Sequence, residues 1–247
     1  MDPAFWENHI EDEYEHCRLT GYAAADQSTA NEFETFWMQR DACLRSVHAH
    51  HTNDGLDSYL ILADSAAMFA SRPGADALIT VHITRDPTDH TFRQDLATQP
   101  SVVFAQRWLI DRGCPVEAIR LPEDHQATRP ADALTAELEE QLLTEPTDRY
   151  EELDTHTQHE GEQTVTVLVR DADPLSSDRP FRIFHQVSDY FDSRTHTLRE
   201  GAWADAEAAR RWISYRTGPI PQPRAIRPAT TAATPPASPP RFSGPRR

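Results

Sequence analysis

The sequence contains no lysine and few glycines, and both shortages narrow the classes of function. All 24 basic residues are arginine. Because arginine, alanine and proline codons are GC-rich, we interpret the missing lysine as the mark of a GC-rich genome, with adaptation to high salt as the alternative. The eight glycines are widely separated, so the closely spaced glycines of phosphate-binding loops and dinucleotide-binding turns are missing.

Cysteine and long apolar runs are also scarce. Cys17, Cys43 and Cys114 lie far apart without a C-x-x-C pair, which argues against a disulfide framework or a zinc knuckle and favours reduced core residues. No apolar run approaches the ~18 residues of a membrane-spanning helix. The N-terminus carries acidic residues where a secretory signal carries Lys or Arg. We therefore expect a cytoplasmic protein that makes no membrane contact.

The charge is distributed unevenly along the chain. The net charge is −16, yet no acidic residue follows Glu207, and eight arginines do. A body this acidic repels nucleic acid and anionic membranes over most of its surface. Only the C-terminal end has the charge to attract them.

Residues 1–145 are predicted to form a helix-rich α/β body. In residues 31–51 the apolar side chains recur at spacings of three, four and seven, the period of one buried helical face, with Asn31 as the N-cap. A second helix is predicted to begin near Asp57 or Ser58 and to stop before Pro73.

The same body is predicted to contain a βαβ-like unit. Residues 76–84 are rich in β-branched side chains and predict a strand. A buried helix follows, with Ser101 as its cap and Gly113 as its stop, and residues 116–122 return as a short strand. Helix in place of either short strand is the alternative. An amphipathic helix over residues 130–143 closes the body.

The C-terminal part is predicted to differ from this body. Residues 146–162 are polar, acidic and aperiodic, which indicates a linker or surface loop. Residues 163–217 predict a small β-β-β-α module whose helix is capped by Asp205. Residues 218–247 are rich in proline and arginine and predict a disordered tail of polyproline II character. The fold class is thus mixed α+β.

The stretch SVHAHHTNDGLD, residues 46–57, suggests metal chemistry. His48 and His51 share one face if the helix continues, and Asp86 and His90 lie just past the carboxyl end of the strand. Together these four side chains would make a hydrolytic Zn, Mn or Fe centre, with Asp89 as general base. The competing interpretation is a helix end whose histidines favour the helix dipole, and under it no cofactor is expected.

Arginines near aromatic residues suggest a second kind of site. Backbone contact combined with stacking is typical of proteins that bind nucleic acid. The competing interpretation is a solvated helix face. The arginines in question are Arg182, Arg194, Arg199, Arg210, Arg211 and Arg216.

The leading functional hypothesis is a non-catalytic interaction or regulatory protein. The absence of glycine-rich loops and nucleophile motifs favours it, and the C-terminal module with its basic tail is the expected surface for a protein partner. Whether the protein is an enzyme stays open, because a metal-dependent hydrolase is the first alternative. Nucleic-acid binding through the C-terminal end is the second.

Overall fold

The structure is a computed structural model with a mixed α+β fold. It describes residues 17–40, 44–64, 78–122, 128–158, 163–189, 192–216 and 218–223, with the backbone alone at 38–40. The disordered tail was predicted over residues 218–247. Residues 224–247 lie outside the described residues, whereas residues 218–223 are described, and the carbonyl oxygen of Pro221 accepts from Ala202 N.

Two five-stranded mixed sheets organise the chain. The first has the strand order β1-β5-β4-β3-β2 and the second β6-β10-β9-β8-β7. The first sheet comprises β1 (Ala23–Ala24), β2 (Leu44–His51), β3 (Asp57–Asp64), β4 (Leu78–Asp86) and β5 (Thr91–Gln99). The second comprises β6 (Arg129–Pro130), β7 (Tyr150–Gln158), β8 (Gln163–Asp171), β9 (Phe181–Asp189) and β10 (Thr195–Trp203).

Five helices within the described residues cover the faces of these sheets. They are α1 (Gln27–Arg40), α2 (Val102–Ile110), α3 (Val116–Ile119), α4 (Ala133–Thr144) and α5 (Ala206–Tyr215), with 3-10 turns at Thr147–Arg149 and Pro174–Ser176. Alternate residues of a strand point to opposite faces of its sheet. In β3, accordingly, Leu60 and Leu62 pack with α1, whereas Tyr59 and Ile61 pack with α2.

The helices and sheets stack in five layers. Val103 and Phe104 of α2 pack in one cluster with Leu138 and Leu142 of α4 and with the inner face of the second sheet. The opposite face of that sheet packs against α5, through residues such as Ile213. From one side to the other the order is α1, first sheet, α2 with α4, second sheet, α5.

The two halves repeat one plan. Each begins with a two-residue strand and a helix, continues as four antiparallel strands and ends with a helix, and each short strand pairs in parallel with the last strand of its own half. The first long strand has a β-bulge at the same register in both halves, between Ser46 and His48 and between Glu152 and Asp154. We call these units the first half (residues 23–110) and the second half (residues 129–215).

The mixed α+β class is confirmed, but the prediction of a helix-rich N-terminal body was wrong. Residues 44–51 and 57–64, expected to be helical, are β2 and β3. Both faces of β3 are buried, so its apolar residues form a continuous run without the alternation that marks a half-exposed strand.

The predicted βαβ-like unit was also wrong. β4 pairs antiparallel with β5 instead of leading into the helix, and residues 116–119 form the short helix α3, the alternative to a strand there. Residues 150–158, in the stretch expected to be a linker or loop, form β7.

Several local predictions are confirmed. The strand at 78–86, the helix stopped at Gly113 with φ +96, and the helices of 133–144 and 206–215 are present. The N-cap of α1 is Asp26 and not Asn31, since its carboxylate accepts from the backbone N–H of Thr29 at 2.8 Å. In the described part of the chain, every helix is too short or too polar to cross a membrane.

Candidate functional sites

The two histidines of the predicted metal set lie on β2 and serve separate contacts. His48 Nε2 donates to the carbonyl oxygen of Ala118 at 2.8 Å, on the side of α3. His51 Nδ1 is 2.6 Å from Ser58 Oγ, on the opposite face of the sheet, because the two positions differ by an odd number along a strand. The shared helical face expected from their spacing is therefore absent.

The remaining members of that set belong to the β4–β5 hairpin. The Asp86 carboxylate accepts from the backbone N–H groups of Thr88 and Asp89 at 2.8 and 3.3 Å, and these bonds lower the pKa of Asp86. His90 completes the turn in the left-handed region, with φ +51. Within the described ranges, no group of three or more His, Cys, Asp or Glu is placed to hold a metal ion.

Half of the arginines of the predicted nucleic-acid surface are committed to the fold. Arg182 is buried, Arg199 pairs with Asp132 at 2.5 Å, and Arg216 donates to Thr164 Oγ1 at 3.1 Å. The other three, Arg194, Arg210 and Arg211, are exposed. The exposed part of the predicted surface is thus the outer face of α5 and the tip of the β9–β10 hairpin.

A buried ionic network lies between the second sheet and α4. Its centre is Asp171, whose side chain is 0% exposed. Arg149 reaches both oxygens of this carboxylate, Nε at 3.0 Å and Nη2 at 3.2 Å, and Arg182 Nε lies 3.3 Å away. Ser176 Oγ donates to the same group at 2.6 Å. Burial alone would raise the pKa of Asp171, but the bonds from Arg149 and Ser176 outweigh it and lower the pKa.

The network continues to Glu200, and a separate arginine contacts the end of α4. Arg182 Nη1 lies 3.3 Å from Glu200 Oε1, and burial raises the pKa of Glu200. Arg107 of α2 donates to the carbonyl oxygens of Leu142 and Pro146 at 2.6 and 2.8 Å. Since Arg107 belongs to the first half and its acceptors to the second, this side chain joins the two halves. The sequence analysis missed the network. A signal was present, because Asp171 and Arg182 lie at the end of one apolar strand and near the start of the next, and charged residues are rarely buried unless they are paired.

A histidine occupies the same position in each half. His82 pairs across β4 with Tyr59, and His185 pairs across β9 with Thr166. The His82 ring stacks on Tyr59 with centroids 4.7 Å apart, and its Nε2 is 2.9 Å from Asp57. His185 instead lies edge-on to Trp212, and burial lowers its pKa to about 4. Both rings have packing partners, which gives them a structural role.

The outer edge of β5 carries an open groove in the first half. β1 pairs only with Thr91 and Phe92, so beyond Phe92 none of the described strands covers this edge. A cleft of about 470 Å³ lies between the edge and α1. Its lining consists of Asn31, Glu32, Thr35, Phe36, Ile79, Leu96, Ala97 and Thr98. We call this site the β5 groove.

The corresponding edge in the second half is covered by the start of the C-terminal segment. Ala202 N donates to the carbonyl oxygen of Pro221 at 2.9 Å, and Trp212 Nε1 donates to that of Gly218 at 3.3 Å. Ile220 packs into the cluster between the sheet and α5. Its contact requires Gly201, because a Cβ there would lie 2.2 Å from Ile220 Cγ2.

The β5 groove therefore combines a strand edge that no described strand pairs with, an apolar wall and a rim that bears the carboxylate of Glu32. Such a site suits an extended peptide, which adds main-chain hydrogen bonds at the edge and places side chains in the cleft. Neither a protein-family model, nor a curated protein, nor a solved structure matches this chain.

Proposed function

We propose that this protein is a non-catalytic interaction protein whose basic, proline-rich C-terminal segment captures a protein partner. The observation that carries the proposal is the fixed start of that segment. Residues 218–223 are held on β10 by the Ala202–Pro221 hydrogen bond and by the packing of Ile220. The point of attachment for the rest of the C-terminal segment is consequently defined.

Charge and composition support a role in binding for residues 224–247, which we call the arm. The arm carries five arginines and no acidic residue, whereas the first 207 residues hold all 40 acids of the protein. A proline-rich segment is extended before it binds, so it loses less entropy than a flexible chain when a partner orders it. A basic arm also accelerates encounter with an acidic partner.

The test compares capture by the full chain and by a charge-neutralised arm. The variant replaces Arg224, Arg227, Arg241, Arg246 and Arg247 with Ser. We expect saturable capture of one protein partner by the wild-type chain and at least a tenfold weaker affinity for the variant, measured by calorimetry with the purified partner. The melting temperature stays within about 1 °C, because the substitutions leave residues 218–223 in place.

A matched control addresses charge outside the arm. The variant Arg210→Ser with Arg211→Ser removes positive charge from the exposed face of α5 and keeps the arm intact. It retains partner affinity if the arm is the capturing element. Equal affinity of the wild-type chain and the arm variant contradicts the proposal.

Nucleic-acid binding is a second candidate, which the exposed face of α5 favours. Arg210 and Arg211 lie there with Tyr215, which is 74% exposed. This function predicts binding to single-stranded DNA or RNA that weakens steeply with salt and is lost in the Arg210→Ser/Arg211→Ser variant. An affinity that does not depend on salt concentration, or the absence of binding, contradicts nucleic-acid binding by α5.

A further inference from the structure

We propose that the arm, when it holds no partner, folds back and docks in the β5 groove, with Phe242 in the apolar cleft and Arg241 beside Glu32. This inference rests on the proposed function, because it assigns the resting position of the same arm. Four features of the molecule support it: the direction of the edge, the shape of the cleft, the charge of its rim and the length of the arm.

The edge of β5 has the same hydrogen-bonding direction as the edge of β10 that already holds a peptide segment. In both halves the last two strands pair in the same register, so Thr98 takes the position of Ala202. Ala202 N points away from its sheet to Pro221. The N–H of Thr98 therefore points outward too, as does that of Leu96 two residues earlier.

The apolar wall and the volume of the cleft favour a large apolar side chain. Phe36, Ile79 and Leu96 form an apolar wall, and Phe36 and Ile79 are 9% and 3% exposed. The large apolar side chains of the arm are Ile226 and Phe242. An aromatic ring fits a cleft of about 470 Å³ with room for the main chain beside it.

The length of chain between Pro223 and each side chain decides between Ile226 and Phe242. The sheets are separated by a helix layer, which places them roughly 20 Å apart, about twice the spacing of two packed layers. Ile226 follows Pro223 by three residues and extends roughly 10 Å at about 3.1 Å per residue. Phe242 extends roughly 60 Å on the same basis, so Phe242 alone can cross from β10 to the first half and turn along β5.

The negative charge of Glu32 suits the residue that precedes Phe242 in the arm. Arg241 precedes Phe242, and the rim of the cleft carries Glu32, an exposed residue of α1. Glu32 accepts a hydrogen bond from Ser28 at 3.0 Å, which leaves its second carboxylate oxygen for a guanidinium. A tethered arm has an effective concentration of order millimolar, so docking with a Kd well below that concentration fills the groove.

The test is amide hydrogen exchange in the full chain without any partner. We expect the amides of Leu96 and Thr98 to exchange at least tenfold faster in Phe242→Ala than in the wild type. The matched control Ile226→Ala leaves both amides protected. A synthetic peptide of residues 236–247 restores protection when added to the Phe242→Ala chain, and the same peptide with Ala at Phe242 does not.

A charge swap tests the contact with Glu32. Arg241→Glu speeds exchange of the two amides, and Glu32→Arg combined with Arg241→Glu slows it again. Identical exchange in wild type and Phe242→Ala overturns the docking. Protection that grows with protein concentration overturns the fold-back and assigns the groove to the arm of a second copy. No partner takes part in these measurements, so their failure is distinct from failure of partner capture.

Discussion

The two halves share a backbone plan but fill the space beneath their first helix differently. In the first half, Ile79 and Leu96 line an open apolar groove beside α1. The positions with the same strand register in the second half hold Arg182 and Glu200, which belong to the buried ionic network. The two helices also differ in their partners: α4 packs with both the second sheet and α2, whereas α1 packs with the first sheet.

This comparison indicates a division of roles. In the second half, residues 218–223 cover part of the β10 edge, and Arg107 of the first half donates to the carbonyl oxygens of Leu142 and Pro146. In the first half, no described strand pairs with the β5 edge beyond Phe92, and the apolar cleft lies beside that edge. Buried ion pairs are costly to desolvate and weak evidence of stability, but they fix the geometry of the groups that they join. Under the proposed docking, the second half anchors the C-terminal segment and the first half receives the arm.

The largest predicted effect comes from removing the centre of the network. Asp171→Ala leaves Arg149 and Arg182 buried without their shared carboxylate, and we expect a loss of about 3–5 kcal/mol in the free energy of unfolding. Urea denaturation at pH 7 measures it. The control Glu151→Gln removes a carboxylate that is 65% exposed and lies 3.9 Å from its arginine, and we expect a change within about 0.5 kcal/mol.

A second experiment tests whether Arg182 and Glu200 of the network depend on each other, by replacing them with the residue types of the first half. Arg182→Ile with Glu200→Leu introduces the side-chain types of the first half at matching positions. We expect the double variant to lose less stability than the sum of the two single variants, because each single change leaves one charge buried without its partner. Strict additivity would show that the two side chains act independently.

The next effect concerns the glycine that admits the C-terminal segment. Gly201→Ala places a Cβ 2.2 Å from Ile220 Cγ2 and 2.7 Å from the ring of Trp203, and we expect a loss of about 1–3 kcal/mol. Ala97 holds the matching position in β5, so Ala97→Gly is the control from the other half. Thermal unfolding compares the two, and equal losses contradict the assigned role of Gly201.

A smaller effect depends on pH and involves His185. Burial lowers its pKa from 6.5 to about 4, so the unfolded chain binds a proton more readily than the native one. The stability gained from the neutral ring is full above pH 6.5 and is lost as the pH falls toward 4. Between pH 7 and pH 5 we expect wild type to lose about 1–2 kcal/mol more than His185→Gln. Parallel curves in urea denaturation across this range would contradict the expectation.

The sequence allowed correct prediction of elements that have one exposed face. The helices at 133–144 and 206–215 show clear periodicity because each buries one side and exposes the other. The strand at 57–64 has no such face, since helices cover both sides of the first sheet. Its run SYLILAD lacks alternation, and local spacing alone favoured a helix.

The candidate sites were less predictable, because they depend on which strands meet. The histidines at 48 and 51 suggested a shared helical face and instead lie on opposite faces of β2. The β5 groove exists because no described strand covers the edge of β5 beyond Phe92. The spacing of residues in a sequence does not predict which strand edge stays uncovered. A signal that was present is the internal repeat: A-D-x-x-T-A occurs at residues 25–30 and 131–136, and A-x-R-W followed by Leu or Ile at 105–109 and 209–213. Comparing the sequence with itself would have indicated two copies of one unit.

The smallest predicted effect tests whether the first of these motifs has one function in both halves. Asp26 accepts from Thr29 N and pairs with Arg93 at 2.6 Å, and Asp132 accepts from Thr135 N and pairs with an arginine of its own last strand.

These bonds lower the pKa of Asp26 to about 2, chiefly through the backbone N–H of Thr29, and the pKa of Asp132 is lowered chiefly by Arg199. Each depressed pKa contributes stability that is present at neutral pH and is lost as the pH falls through the acid range. We expect Asp26→Ala and Asp132→Ala to lower the unfolding midpoint in urea by similar, small amounts at pH 7, and by less at pH 2.5. A large decrease in the urea midpoint for only one of the two variants would contradict this expectation. It would show that the aspartate of the motif has different roles in the two halves.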